Sequence, residues 1–270
     1  MFDTIDTRRG VTALARAALI ALGVLTIVAL VAAGRSAPRA ARHVRVASDQ
    51  RLTAQEIGRR YQRGVVEIVA VVPAGRATGR RLDGSRAQSR GLGFAISGDG
   101  LILTNAALVD HNGRIAKTAQ VTFRTAAEKT RRVVGAIACV DPVVGLAVIR
   151  LDPARISGLE PLPMGDSSGL RAGDAVVALG APPASPAFAA GSAGVTSGDL
   201  PAAYGVTVSG ALLTTVSVGR RGSGAPLFDM SGRVIGVMEQ PGAQGGGSAE
   251  FWSAAPINGA AHVISDANAG

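Results

Sequence analysis

The stretch RGSGAPLFDMSGRVIGV, residues 221–237, decides how this chain folds. Two short apolar runs, 226–228 and 234–238, flank a turn rich in Asp, Ser and Gly, which predicts two strands of a β-sheet. Ser223 lies just before them, between two glycines, in a setting that is typical of a nucleophilic serine. A serine hydroxyl is a poor nucleophile until a histidine takes its proton and a carboxylate orients that histidine. The rest of the chain must supply both partners if Ser223 is to react.

The same stretch resembles the serine segment of trypsin-like serine proteases of the HtrA type, which carries a GNSGGPL core. Four other stretches resemble further segments of that family, in the family's order: LGFAISGDGLILTN (92–105), CVDPVVGLAVI (139–149), LPMGDSSGLRAGD (162–174) and FWSAAPIN (251–258). The matches extend over about residues 64–265. The resemblance implies an all-β fold, the trypsin-like double antiparallel β-barrel, with a substrate cleft between the barrels.

The resemblance also identifies the positions of the catalytic residues. The family's general base follows the LTN motif, where this chain has Ala107, and its aspartate precedes LAV, where this chain has Gly145. A glycine of the oxyanion hole lies two residues before the serine, and Arg221 replaces it here. Only the nucleophile position, Ser223, keeps its residue. Loss of the base removes most of a triad's acceleration, so the resemblance implies a catalytically degenerate member, a pseudoprotease that binds a protein or peptide partner.

An active endopeptidase with a rearranged or partner-completed triad is the alternative. Of the three histidines, His111 lies four residues beyond the base position, His262 lies on an expected C-terminal helix, and His43 lies beside an apolar segment. A slip of the loop could bring His111 toward Ser223. The simpler interpretation treats His111 as a solvated loop residue and Ser223 as a small polar turn residue.

The apolar segment near the amino terminus predicts a membrane anchor. Residues 17–34 are 18 residues without a charge, and the apolar stretch extends back to Val11 if Arg16 reaches the interface. A cleaved signal peptide, with Arg8 and Arg9 ahead of it and small residues at 31–33, is the competing interpretation. The arginines on both sides leave the orientation open. The resemblance places the folded domain outside the plasma membrane of a bacterium. The Ala-, Gly- and Arg-rich composition also fits a bacterial protein.

The rest of the chain divides by its patterns. A capping box, Thr53 with Glu56, predicts a short helix to about Arg63. Short apolar runs punctuated by glycine predict an antiparallel sandwich or barrel. The domain organisation expected is a tail (1–10), the anchor (11–34), a linker (35–52), a first barrel with the short helix (53–155) and a second barrel with a C-terminal helix (156–270). No PDZ module is expected after Gly270, because the 270 residues are accounted for by these segments.

The composition of the chain limits the classes of partner that it is expected to bind. The net charge is +9, but residues 1–52 hold eight of the 28 basic residues and three of the 19 acids, so the remainder is only mildly basic. The arginines of residues 76–90 lie in a loop without aromatic residues, which argues against nucleic-acid binding and for a solvated loop. The single cysteine, Cys139, is expected to be a small buried apolar residue. No cofactor and no metal site is predicted. The expected partner is a membrane or envelope protein.

Overall fold

The computed structural model of the protein describes residues 51–73, 87–125, 127–180, 188–196, 198–202, 206–219, 221–239 and 252–269. These residues all belong to one compact unit, Asp49–Gly270. The predicted anchor and tail, most of the linker and His43 lie outside the described residues. Within the described part, no helix is long and apolar enough to cross a membrane.

Six antiparallel strands close the first barrel. They are β1 (Val65–Val72), β2 (Ala87–Ala95), β3 (Leu101–Asn105), β4 (Thr118–Arg124), β5 (Thr130–Asp141) and β6 (Leu146–Arg150). Their order around the barrel is β1-β2-β3-β6-β5-β4. The turn of β2 into β3 is the predicted Gly-Asp-Gly hairpin, and Gly100 adopts a φ of +103°, which few other residues tolerate.

The second barrel has the same strand number. Its strands are β7 (Ala175–Leu179), β8 (Phe188–Thr196), β11 (Leu212–Thr214), β12 (Pro226–Asp229), β13 (Val234–Met238) and β14 (Trp252–Pro256), in the order β11-β14-β13-β12-β7-β8. A separate two-stranded ribbon pairs β9 (Leu200–Pro201) with β10 (Thr207–Val208). The predicted double-barrel, all-β architecture is therefore confirmed.

One helix precedes the first barrel in the chain, and another follows the second barrel. Helix α1 (Ala54–Tyr61) begins with the predicted capping box, since the Thr53 and Glu56 side chains exchange hydrogen bonds with each other's backbone N–H. It ends two residues earlier than predicted, in a 3-10 turn over Gln62–Gly64. The Tyr61 ring stacks on Phe228 of the second barrel, with centroids 5.3 Å apart. Helix α2 (Ala260–Ala269) packs on β5 and β6.

Alternating side chains divide the core into three layers. On β3, Ile102 faces the interior of the first barrel, whereas Leu103 faces a layer between the barrels. On β7, Val176 lies inside the second barrel and Val177 in the same middle layer. This is the two-residue period of strands. The middle layer also contains Ala107, which places the predicted base position at the contact between the barrels.

The environment of Cys139 differs from the expectation. Its side chain is half-buried at the end of β5, where it packs against the edge of the middle layer. The pKa of the thiol is raised, first by burial and then by the negative charges of Asp266 and Asp141. A raised pKa disfavours the reactive thiolate.

Candidate active site

Ser223 lies in a turn that is pressed against the first barrel. The Leu92 N–H of β2 donates a hydrogen bond to the Ser223 carbonyl, 2.7 Å away. The next residue, Gly224, has a φ of +86°, and a Cβ there would overlap the Leu92 carbonyl oxygen and lie 2.6 Å from Thr104 Oγ1. Only glycine fits this contact. The turn is thereby fixed to β2, and Ser223 is 4% exposed.

The hydroxyl of Ser223 is bound by an amide. Asn105, the last residue of β3, donates from Nδ2 to Ser223 Oγ. Its Oδ1 accepts a hydrogen bond from the Leu108 N–H at 3.1 Å, which caps the short 3-10 helix Ala106–Leu108 and fixes which end of the amide faces the serine. An amide N–H is a donor only. Asn105 therefore cannot take the serine's proton, and the hydroxyl is held as an acceptor.

The base position has no polar side chain. Ala107 lies in the middle of the 3-10 helix and is 3% exposed. The neighbouring Ala106 N–H donates to the Gly145 carbonyl at 2.8 Å. The structure thus brings the predicted positions 107, 145 and 223 to one place, through Asn105 on one side and this backbone hydrogen bond on the other.

The backbone conformation and the neighbours of Gly145 disfavour any larger residue at this position. It turns the chain from β5 into β6 with a φ of +76°. A Cβ at this position would lie 2.7 Å from Val208 Cγ2 and 3.3 Å from Glu239 Oε1. An aspartate here would need a strained backbone and a displacement of Val208. The glycine is consequently required by its surroundings as they stand.

Glu239, directly after β13, has its carboxyl group beside Gly145, the predicted acid position. Its side chain is 0% exposed, and neither carboxyl oxygen has a hydrogen-bond partner among the described residues. Burial raises the pKa of Glu239 well above its ordinary value, and the nearby Asn105 amide opposes this only in part. The group is therefore a neutral acid at the ordinary Glu pKa and for some distance above it.

The two described histidines are engaged elsewhere. Nε2 of His111 lies 2.7 Å from the Ser89 hydroxyl, and the ring also hydrogen-bonds the backbone of Ala107. The expectation of a solvated His111 is wrong, because the residue is 7% exposed. Burial lowers the pKa of His111, although the Asp110 charge and the Ala107 carbonyl act in the other direction. His262 lies on α2, 3.3 Å from the Asp266 carboxylate.

Two backbone N–H groups beside Ser223 donate hydrogen bonds within the turn. Gly222 N–H donates to the Gly219 carbonyl at 3.0 Å, and Ala225 N–H donates to the Gly222 carbonyl at 2.9 Å. Among the described non-glycine residues, only Asn112 and Glu128 have positive φ, so Arg221 does not adopt the left-handed conformation open to glycine. Its side chain is exposed beside the turn.

A cleft opens next to the buried serine. It has a volume of about 410 Å³ and lies between β1 and β2 of the first barrel and β7, β8 and residues 217–222 of the second. Its apolar wall includes Ile68, Leu92, Ala178, Phe188 and Val218. Three charged residues line it as well, Glu67, Arg90 and Arg221, and none of them forms an ion pair within the described part of the chain.

A family comparison fits this geometry. The family described as trypsin-like peptidase domain matches residues 91–237, a range that includes the predicted positions 107, 145 and 223. This chain belongs to that family. Within the matched segment, the predicted nucleophile position is Ser223, and the predicted base and acid positions are Ala107 and Gly145.

Relatives of this trypsin-like peptidase domain include HtrA and DegP proteins. The chain is 32% identical over 179 residues to "Probable periplasmic serine endoprotease DegP-like" of Pseudomonas putida (strain W619), covering 64% of this chain and 33% of that protein. It is 34% identical over 157 residues to "Serine protease HTRA2, mitochondrial" of Bos taurus, covering 55% and 31%. The chain spans about one third of the length of these curated relatives.

Solved structures share the fold. The HtrA-type protease AlgW, solved with a tripeptide, superposes with a TM-score of 0.59 at 22% identity, covering 79% of this chain and 62% of that one. Deg5 superposes with a TM-score of 0.57 at 22% identity, covering 76% and 89%.

Asn105 and Glu239 are the two site residues that sequence reasoning missed. Asn105 ends a strand in which all five residues are buried, and a polar residue in such a run was the available signal. Glu239 follows another strand whose five residues are all buried. Its distance to Gly145 could be recognised only in three dimensions.

Proposed function

We propose that this chain is a pseudoprotease of the bacterial cell envelope. It holds an extended segment of a protein partner in the cleft between its barrels and does not cut it. Residues 11–34 anchor it in the plasma membrane, with the barrels on the extracytoplasmic side. The partner is a membrane or envelope protein.

The hydrogen bond between Asn105 and Ser223 carries the proposal. Nucleophilic catalysis needs a group that accepts the serine's proton. Here the hydroxyl faces an amide donor, the predicted base position is a buried alanine, and burial raises the pKa of Glu239, the carboxyl group beside Gly145. A site of this kind cannot carry out the first step of acyl transfer, because no group among the described residues is placed to accept the serine's proton.

The edge of β2 supports the binding role. β1 pairs with β2 along Ala87–Phe94, whereas β3 pairs only with Phe94 and Ala95 on the other side. The Leu92 N–H donates a hydrogen bond to the Ser223 carbonyl, and the Leu92 carbonyl accepts one from the Thr104 hydroxyl. Both backbone groups of Leu92 therefore point away from β1. Residues two apart on a strand point the same way. The backbone of Arg90 therefore faces the cleft side with no partner strand in the described part, and an extended peptide can pair there.

The names of the relatives support the location. The DegP-like relatives are named as periplasmic. An extracytoplasmic domain behind an apolar amino-terminal segment agrees with these names, and the anchor itself rests on the uncharged run of residues 17–34.

A fluorophosphonate probe tests the missing chemistry. This probe labels serines that a base has activated, so the full chain is expected to stay unlabelled under conditions in which trypsin is labelled completely. Ser223→Ala is the matched control and is expected to behave like the unmodified protein, both with the probe and in the cell. Stoichiometric labelling that Ser223→Ala abolishes would instead establish an active endopeptidase with a rearranged triad. Labelling that appears only with a co-purified partner would establish a partner-completed one.

A further inference from the structure

Glu239 is a fully buried acid whose carboxyl oxygens form no ion pair among the described residues, and only the nearby Asn105 amide favours its charged form. Its side chain has no exposed surface, and both carboxyl oxygens lack a hydrogen-bond partner among the described residues. Burying a polar group without a partner is unfavourable, and the large majority of buried polar groups are satisfied. Its position therefore requires an explanation other than stability.

The location of the Glu239 carboxyl group suggests an explanation for its burial. A Cβ built on Gly145 would lie 3.3 Å from Glu239 Oε1. The carboxyl of Glu239 thus lies in the space into which a side chain at position 145 would point. Position 145 is where the family resemblance puts the aspartate. The backbone there is joined to the base position, because Ala106 N–H donates to the Gly145 carbonyl at 2.8 Å.

We infer that Glu239 is the acidic member of this active site, moved from position 145 to the end of β13. The acid is then relocated and not lost, and the triad lacks only the base at Ala107. The inference rests on the proposed function, since it concerns the site that is proposed to be inactive. Glu239 would act as a positioning residue, because it would orient an imidazole at position 107 and would not touch a substrate.

The state of the acid agrees with this role. In the unmodified chain, burial raises the pKa of the Glu239 carboxyl and so favours its protonated form. An imidazole at 107 would offer it an N–H donor and, once protonated, a positive charge, and both favour the carboxylate. Gly145→Asp, by contrast, would put a second carboxyl beside the first at a position with a φ of +76°.

The chemical test restores the base. In Ala107→His with Arg221→Gly, the Ser223 hydroxyl would pass its proton to the ring as Oγ forms a bond to phosphorus of a fluorophosphonate and fluoride leaves. Arg221→Gly is included to return the family residue at the oxyanion position. We expect labelling at Ser223 at least tenfold faster than in the unmodified chain.

Glu239→Gln in that background separates positioning from structure. We expect it to slow labelling by about tenfold or more and to move the inflection of the pH profile to lower pH, since the ring would lose a carboxylate that favours its protonated form. Gly145→Asp in the same background is expected to give no gain. An unchanged rate and inflection after Glu239→Gln, a gain from Gly145→Asp, or no labelling of a folded parent variant would each overturn the inference.

A second measurement needs no activity. Gly145→Asp is made in the otherwise unmodified chain and in Glu239→Ser, and the loss of melting temperature is compared between the two backgrounds. Backbone strain and the contact with Val208 are common to both, so they cancel. A smaller loss in the Glu239→Ser background is expected if one carboxyl occupies the place of the other. Equal losses would mean that the two positions do not share that place. Labelling of the unmodified protein would contradict the proposed function and leave this comparison intact.

Discussion

The side-chain amide of Asn105 donates a hydrogen bond to the Ser223 hydroxyl across the contact between the two barrels. Asn105 ends β3 of the first barrel, and Ser223 precedes β12 of the second, so the bond joins the two halves of the fold. In an active site of this family type, the serine would face a proton acceptor. Here the same hydroxyl is part of a buried structural contact, with one end of the amide capping a helix and the other holding the serine.

Asn105→Ala is expected to destabilise the protein by about 2–3 kcal/mol, because it removes the three hydrogen bonds of a fully buried side chain, to Ser223, Met238 and Leu108. Urea unfolding measures this loss. Asn268→Ala, on the exposed face of α2, is the matched control and is expected to stay within about 0.5 kcal/mol of the unmodified protein. Equal effects of the two substitutions would mean that the Asn105 contact is not structural.

Gly224→Ala is expected to destabilise the protein by more than about 2 kcal/mol, since alanine disfavours a φ of +86° and its Cβ would displace β2. Thermal unfolding measures the loss. Gly98→Ala is the control, because a Cβ there would meet nothing within 4 Å. If Gly224→Ala were as stable as this control, the turn of Ser223 would not be pressed against the first barrel as described.

Glu239 makes the stability depend on pH in a direction opposite to that of most carboxylates. Its pKa is raised in the folded protein, so its contribution is fully present below the unfolded Glu pKa of about 4.3 and is lost as the pH rises through the folded pKa. Glu239→Gln removes this dependence. The unfolding free energy of the unmodified protein is therefore expected to fall relative to that of Glu239→Gln as the pH rises above about 4.3, by up to about 1.4 kcal/mol per pH unit.

Urea unfolding at a series of pH values checks this expectation. Glu67→Gln, which changes an exposed carboxylate on β1, is the control for a general effect of charge. A difference between the unmodified protein and Glu239→Gln that stays constant with pH would show that Glu239 has no raised pKa in the folded state.

The sequence predicted the architecture because strand period and turn chemistry are local properties. The apolar run 234–238 is a strand with the predicted bounds, and the motif register correctly predicted that positions 107, 145 and 223 lie near the contact between the barrels. Contacts between distant residues were not accessible in this way. His111 was predicted to be solvated because DHNG is a typical turn sequence, but the loop closes through pairing of Asp110 with Ile115, and the ring is buried against Ser89.

The edge of β2 at Arg90, which has no partner strand in the described part of the chain, predicts that the protein binds extended chains. Fluorescein-labelled unfolded casein is expected to bind the full chain, as measured by anisotropy, and to remain intact on a gel. Arg90→Pro removes one backbone N–H from the edge and is expected to weaken binding at least tenfold. Arg90→Ala keeps that N–H and removes the guanidinium, so it is expected to weaken binding much less. Unchanged binding by Arg90→Pro, in a variant that keeps its melting temperature, would exclude pairing at this edge, whereas an equal loss from both variants would assign the binding to charge and not to the main chain.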